Sequence, residues 1–348
     1  MQTIIDNIDI EAVASWLPHK ILEMGELASK YGDSEVQTII KATGIERARI
    51  AEEDMTSSDM CLLAANHLID KHNIDKSSID GLVFVSQTCD YILPATSIIL
   101  QDRLGLKQDT VCIDIHYGCS GYIYGLLQAS SWINCGICNR VLLLAGDTTS
   151  RMINPLDKSL KMVFGDCGTA TIVSKGTHRI GFNIMSDGSG FDRLIVPAGG
   201  FRKPKSEATS VIEFDSDKNG RSENDLYMDG MAIFNFAISK VHKNINTLIE
   251  RMGWRKEDVG LYLLHQANDF MVNYVRKKLK VNADIVPTNV ANYGNTGPAT
   301  LPLLCSDVLS ENHYDLTKVI LSGFGVGLSW GSTATDLSHT IFYPPVNK

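Results

Sequence analysis

Three residues of this chain have the types and settings that chemistry at a carbonyl group requires. Cys119 lies in DIHYGCSGYIYGLL (114–127), between Gly118 and Ser120-Gly121. The stretch before it is strand-like and the stretch after it has a helical apolar pattern. The sequence therefore predicts a strand–turn–helix elbow with a thiol at its tip. The glycines permit a tight turn and leave the sulfur unobstructed. A thiol is a weak nucleophile at neutral pH unless its pKa falls, and a helix N-terminus is one place where that happens. His265 ends the apolar run of LYLLHQAND (261–269), where the polar residues Gln266 and Asn268 begin. A histidine there can serve as a base or as a fixed hydrogen-bond donor. Asn295 lies in NYGNTGPATLP (292–302), a glycine-bounded turn ahead of another apolar helix. Its amide cannot titrate, but its NH2 can donate to a developing oxyanion or enolate. Each residue taken alone also has a bland reading: a packed thiol, a satisfied core histidine, a turn former.

The elements that must bring them together are legible as an internal repeat. IDGLVFVSQTCD (79–90) resembles DVGLYLLHQAND (258–269), and QDRLGL (101–106) resembles RKKLKV (276–281). CIDIHYGCSG (112–121) answers VPTNVANYGNTG (286–297), and RVLLLAG (140–146) answers KVILSG (318–323). The separations stay between 176 and 179 residues from Gln87/Gln266 through Cys119/Asn295 to Gly146/Gly323, near-constant spacing that chance rarely produces. Helical apolar spacing over 57–74 and 231–253 precedes the matched strands. Strands alternating with such helices predict a duplicated α/β protein, with halves of 1–175 and 176–348. Equivalent strand ends of two such halves meet near the pseudo-symmetry axis, which would gather Cys119, His265 and Asn295.

Composition removes several function classes. The 348 residues are 44% hydrophobic and 21% charged, enough for a large core. The net charge of −8 argues against a general nucleic-acid binder, and VRKKLK (275–280) and FRKPK (201–205) read as solvated basic faces. No apolar run approaches the ~20 residues of a membrane helix. The acidic start, with Asp6, Asp9 and Glu11, is unlike a secretory signal, and the eight cysteines then read as thiols of a cytoplasmic protein. Cys135-Gly-Ile-Cys138 has no second pair at zinc spacing, so it predicts a helix-end loop and no metal site. SGFGVGLSWGS (322–332) follows a strand without a dinucleotide-type helix after it. It fits a turn whose backbone N–H groups approach a ligand carbonyl, an oxyanion hole shared with the amide of Cys119.

GCSGYIYG, HQAND, GNTGPATLP, FGDCGTA (164–170) and GFGVGLSWGS together resemble the thiolase superfamily, and within it the initiating, type III β-ketoacyl carrier-protein synthases. TGIERARIA (43–51) extends the resemblance over nearly the whole chain. It implies a thiolase-like fold of five layers, α/β/α/β/α, in a homodimer. It implies that acyl-CoA or acyl carrier protein delivers thioesters on coenzyme A or phosphopantetheine, with no tightly bound cofactor. Cys119 would carry the acyl group, and the amides of Cys119 and Val326 would hold the oxyanion. His265 and Asn295 would drive decarboxylation of a malonyl thioester and its condensation to a short 3-oxoacyl thioester. Phe324 would be an apolar wall, Asn268 a pocket residue, Met228 and Phe234 the border of the acyl cavity, and Lys158 a pantetheine-side contact. Leu93 would line the partner subunit's acyl pocket.

Several positions depart from the family's usual residues. Phe270 stands for a carrier-docking arginine, Thr38 and Ala42 for a tryptophan and an arginine around adenine, and Lys158 for an arginine. Val326 stands for a glycine and Leu93 for a phenylalanine. His116 is expected to face away from the thiol. The neighbouring alternatives are a Cys-His-Asn acyltransferase and a hydroxymethylglutaryl-type condensing enzyme. Thiolase proper lacks support because the glycine loop has no second cysteine.

Overall fold

A computed structural model describes residues 1–311 and 313–347. Nine strands form one continuous sheet. In chain order the elements that position the site are β1 (Gln2–Trp16), α1 (Ser57–His72), β2 (Gly81–Val85), α2 (Thr96–Arg103), β3 (Val111–Ile115), α3 (Gly121–Asn134), β4 (Arg140–Asp147) and β5 (Cys167–Ser186). They continue with α4 (Gly230–Arg251), β6 (Leu261–Leu264), α5 (Asp269–Leu279), α6 (Thr300–Val308), β7 (Val319–Gly325), β8 (Ser329–Thr335) and β9 (Ile341–Phe342). The main path runs β6-β7-β8-β5-β4-β2-β3, with β1 pairing both β5 and β9.

Alternation along the strands builds the layers. In β2, Leu82 and Phe84 face one apolar cluster while Val83 and Val85 face another, so the strand is buried on both sides. β6 divides the same way, Tyr262 and Leu264 to one cluster and Leu261 and Leu263 to the next. Such two-sided runs are what parallel strands under helices require. α1 packs on β1, β4 and β5 from outside, and α4 packs on β5, β7 and β8 from the other outside, with α5 against it. Between the two sides lie α3, which touches β2 and β4 as well as β7 and β8, and α6, which touches β1, β5, β6 and β7. The two halves of the sheet, joined through β1 and β5, therefore form separate layers, and the order is helix, sheet half, helix, sheet half, helix, the five-layered α/β arrangement that the family resemblance implies. α3 earns its central place through Tyr122, Ile123, Leu126, Ala129 and Ile133, all buried. Burying each large apolar side chain contributes about 1.5–3 kcal/mol.

Local signals set the ends. Thr56 and Asp59 form a capping box at the start of α1, and Asn73 ends that helix in the left-handed region at φ 53°. The 175/176 boundary expected between the halves falls inside β5, which is 20 residues long. Its first part pairs with β4 and its last part with β8, while β1 runs beside both parts. β1 shifts register between Asp6 and Ile8, where Asn7 takes φ 62°. The repeat is also incomplete at one point. β3 has no strand counterpart in VPTNV (286–290), where Pro287 lacks the N–H a ladder needs, and a single helical turn, Val290–Tyr293, follows. Cys135 ends α3 and Cys138 precedes β4, as the helix-end reading of that pair expected.

Candidate active site

The elbow forms as its residues dictate. β3 stops at Ile115, Gly121 N–H donates to the Gly118 carbonyl at 2.7 Å, and α3 begins at Gly121. Gly118 leaves the room that the Gln87 and Val326 side chains occupy, since an added Cβ would lie 1.8 Å from Gln87 Oε1 and 2.8 Å from Val326 Cγ1 and displace them. Cys119 is buried at the tip, and its own amide, the Val326 amide and the Asn295 side chain lie near enough to the sulfur to favour its charged form. The two amides of the expected oxyanion hole thus converge on one point. The helix N-terminus does not lower the thiol's pKa overall: burial, with Asp147 next in weight, pushes it up to about 12, and the three polar neighbours offset only part of that rise. The resting residue is a thiol.

β6 delivers His265 at its C-terminal end, where its backbone N–H donates to the Ser322 carbonyl of β7 at 2.8 Å. The imidazole is buried, and desolvation pushes its pKa down to about 3, so the ring is neutral. Nδ1 meets Thr300 Oγ1 at 2.6 Å, and the Phe324 ring stands edge-on to the imidazole with centroids 5.3 Å apart. Asn295 is oriented by its own turn. Its Oδ1 accepts from Gly297 N–H at 3.0 Å, which turns the NH2 group away from that contact. Its backbone N–H donates to the Val163 carbonyl at 2.8 Å, and its carbonyl accepts from Gly165 N–H at 3.0 Å. Gly294 and Gly297 bound the turn at φ 66° and 62°, and a Cβ on Gly294 would lie 2.7 Å from the Val163 carbonyl oxygen.

Cys119, His265 and Asn295 all line one cavity of about 400 Å³. Its other walls are almost wholly apolar, among them Phe164, Leu194, Met228, Phe234 and Phe324. Phe270 and Met231 stand exposed where it opens, and Phe234 stacks on Phe270 at 5.3 Å. Such a chamber takes an apolar chain or arm and gives any charge that develops inside a few fixed polar partners. Among the described residues no group of His, Cys, Asp and Glu side chains could hold a metal ion.

Of the expected residues, Phe324, Met228 and Phe234 line this cavity, and so does Asn268, whose Oδ1 caps α5 by accepting from Met271 N–H at 2.8 Å. Val326 contributes its amide to the sulfur but turns its side chain toward Gly118 and a separate cleft. Two positions do not reach the cavity. Lys158 is taken by Glu35, 3.3 Å from its carboxylate, and by the Asp217 carbonyl. Leu93 lies in an exposed loop with Tyr91 and Ile92, away from Cys119 of its own chain. His116 is exposed and lines clefts other than this one, as its place in the sequence suggested.

Three further residues belong to the site and carry a weaker sequence signal. Gly325 is the close neighbour of the sulfur, as a Cβ there would lie 3.0 Å from Cys119 Sγ. Thr300 holds His265. Asp147, an acid at the end of the apolar run of β4, is fully buried. Its Oδ1 accepts from Ser86 Oγ, Gln87 N–H, Thr88 N–H and Thr88 Oγ1 at 2.7–3.2 Å. Its Oδ2 has no partner and faces Gly297, and burial raises the pKa to about 7.

Two family models match the chain. Residues 113–188 match 3-oxoacyl-[acyl-carrier-protein] synthase III, and residues 249–337 match the C-terminal part of the same family. The β-ketoacyl-[acyl-carrier-protein] synthase III of Caldanaerobacter subterraneus is 32% identical, covering 94% of this chain and 97% of that protein. The 3-oxoacyl-(acyl carrier protein) synthase structure from Burkholderia xenovorans superposes with a TM-score of 0.91 at 35% identity, over 100% of this chain and 99% of that one. The priming β-ketosynthase of the R1128 polyketide pathway superposes with a TM-score of 0.82 at 25% identity, over 95% and 96% of the two chains.

Proposed function

The chain belongs to the 3-oxoacyl-[acyl-carrier-protein] synthase III family of condensing acyltransferases, and on that premise we propose which of its own residues carry the reaction. The reaction is decarboxylative Claisen condensation of an acyl thioester with a malonyl thioester, giving a 3-oxoacyl thioester. The observation that carries the assignment of residues is convergence: a buried thiol from the first half and two neutral polar groups from the second line one apolar cavity.

Cys119 Sγ attacks the acyl carbonyl, a C–S bond forms, and the carrier's thiolate leaves with the proton the cysteine gives up. Negative charge on the carbonyl oxygen is received by the amides of Cys119 and Val326, whose convergence on the sulfur supports that role. The malonyl thioester then enters the emptied chamber. Asn295 Nδ2 and His265 Nε2 donate to its thioester oxygen while the C–C bond to the carboxylate breaks. CO2 departs and the electron pair becomes the enolate. The enolate carbon attacks the acyl-Cys119 carbonyl, and the cysteine sulfur leaves and regains a proton. A neutral imidazole suits this step, because it donates without fixing a positive charge beside the thioester. Phe324 supplies an apolar wall that favours release of neutral CO2.

The substrates are carried on coenzyme A or on the phosphopantetheine of an acyl carrier protein, the carrier for which its relatives are named, and no tightly bound cofactor takes part. A second copy completes the acyl pocket. Support comes from β3, which ends the sheet as an unpaired edge, and from the exposed apolar loop Tyr91-Ile92-Leu93 nearby. No helix among the described residues is long and apolar enough to cross a membrane, and the eight free cysteines support work in the cytoplasm.

The test is a panel of acyl-CoA and acyl-carrier thioesters read by intact mass, with Cys119→Ser as control, followed by malonyl-dependent CO2 release. Acylation of Cys119 with CO2 release is expected. An adduct on another residue, or none with any donor, would overturn the assignment of Cys119. Asn295→Ala and His265→Ala should slow decarboxylation far more than acylation, and equal loss of both steps would remove their assigned roles.

A further inference from the structure

We propose that Thr300 is a positioning residue that fixes the tautomer of His265, holding Nδ1 as an acceptor so that Nε2 keeps the ring's single proton. The inference rests on the proposed role of His265 as a donor to the thioester oxygen. A neutral imidazole has one N–H, and the hydrogen bond at one nitrogen decides whether the other gives or takes a proton.

Thr300 Oγ1 lies 2.6 Å from His265 Nδ1 and 3.1 Å from the Gly297 carbonyl oxygen. One hydroxyl proton therefore has two possible acceptors, and the choice propagates to the cavity. If the proton went to Gly297, Nδ1–H would have to donate to Thr300, and Nε2 would present a lone pair to the substrate oxygen. Two lone pairs would then face each other at the point where negative charge builds.

Two observations send the proton to Nδ1. The contact to the ring is short whichever atom carries the proton, whereas the hydroxyl's bond to Gly297, at 3.1 Å, exceeds the usual O–H···O length of about 2.7–2.8 Å and is the weaker one to give up. The Gly297 carbonyl also already accepts the backbone N–H of Thr300, so it is not left orphaned when the hydroxyl turns away. Thr300 is itself 1% exposed, beyond the reach of solvent protons that would scramble the choice. The short segment from Asn295 to Thr300 thus orients both donors. Gly297 N–H turns the Asn295 amide, and the Thr300 hydroxyl sets the histidine.

The experiment is 15N NMR of histidine-labelled wild type, Thr300→Ser and Thr300→Val, run beside separate acylation and decarboxylation rates. Wild type and Thr300→Ser should show His265 protonated at Nε2 with a hydrogen-bonded Nδ1. Thr300→Val should lose the Nδ1 hydrogen-bond shift and decarboxylate roughly ten-fold more slowly, the order of effect of removing the outer hydrogen-bond partner of a metal-bound histidine. Acylation of Cys119 should stay within two-fold. An Nδ1-protonated ring in wild type would overturn the proposal, as would unchanged decarboxylation in Thr300→Val or a parallel fall in both steps. The NMR readout does not depend on turnover. Failure of the donor role itself would appear separately, as normal decarboxylation in His265→Ala.

Discussion

Asp147→Asn tests the electrostatics beneath the nucleophile. The carboxyl is fully buried, one oxygen saturated by four donors and the other unpartnered, and its pKa rises from 3.8 to about 7. In the unfolded chain the same group ionises near its ordinary value. Between those two pKa values the unfolded state therefore binds fewer protons than the folded one, and stability falls as pH rises. The full penalty, reached above pH 7, is about 4 kcal/mol at 1.36 kcal/mol per pKa unit, and about 2–3 kcal/mol of it accrues between pH 5 and 8. Asparagine keeps an oxygen for the Ser86, Gln87 and Thr88 donors and does not titrate. Urea unfolding at pH 5, 6, 7 and 8, at one protein concentration, should show the variant gaining on wild type by that amount as pH rises. Any cost of the new NH2 group is an offset common to all pH values. A stability difference that stays constant, or that moves toward wild type with rising pH, would refute a protonated Asp147.

Gly325→Ala would set a methyl 2.9 Å from Cys119 Cβ and 3.0 Å from Sγ, so acylation measured by intact mass should fall about 100-fold. Circular dichroism should report an unchanged fold; acylation within three-fold of wild type would show that the loop yields. Because burial holds the His265 pKa near 3, the decarboxylation rate should show no imidazole limb from pH 5.5 to 8. A limb near pH 6.5 that vanishes in His265→Asn would contradict a neutral ring. Thr56→Ala removes one side of the capping box of α1, whose Oγ1 accepts from Asp59 N–H at 3.3 Å. It should lower stability by about 1 kcal/mol in denaturant titration without touching catalysis.

Much of the site is legible in the sequence because two periodic signals overlap there. The repeat places Cys119, His265 and Asn295 at equivalent ends of strands and turns, and the glycines around Cys119 and Asn295 mark tight turns, those beside Asn295 at positive φ. Long-range pairing is what the letters hide. Nothing in Asp147 announces that four donors from 86–88 reach it, and nothing in Thr300 announces that its hydroxyl meets a ring 35 positions earlier. Burial acts the same way on Cys119. The helix start is visible and argues for a lowered pKa, but the desolvation that outweighs it depends on the packing of both halves. The family resemblance puts Lys158 beside the pantetheine arm, and only the fold reveals that its ammonium meets Glu35. The boundary near 175 follows from repeat arithmetic, which cannot see that one strand serves both sides.

That shared strand also governs when the molecule can close. β1 begins at Gln2, pairs with residues up to Asn183, and takes its other neighbour, β9, from residues 341–342. The Met1 ammonium donates to the Ile184 carbonyl at 2.7 Å. β1 therefore waits first for residues 168–183 on one edge, and then for Ile341 and Phe342 to pair with Ala12 and Val13 on the other. Synthesis at about 5–20 residues per second leaves that strand without its final partner for roughly 20–70 s. During that interval its open edge is the surface most in need of protection from other nascent chains.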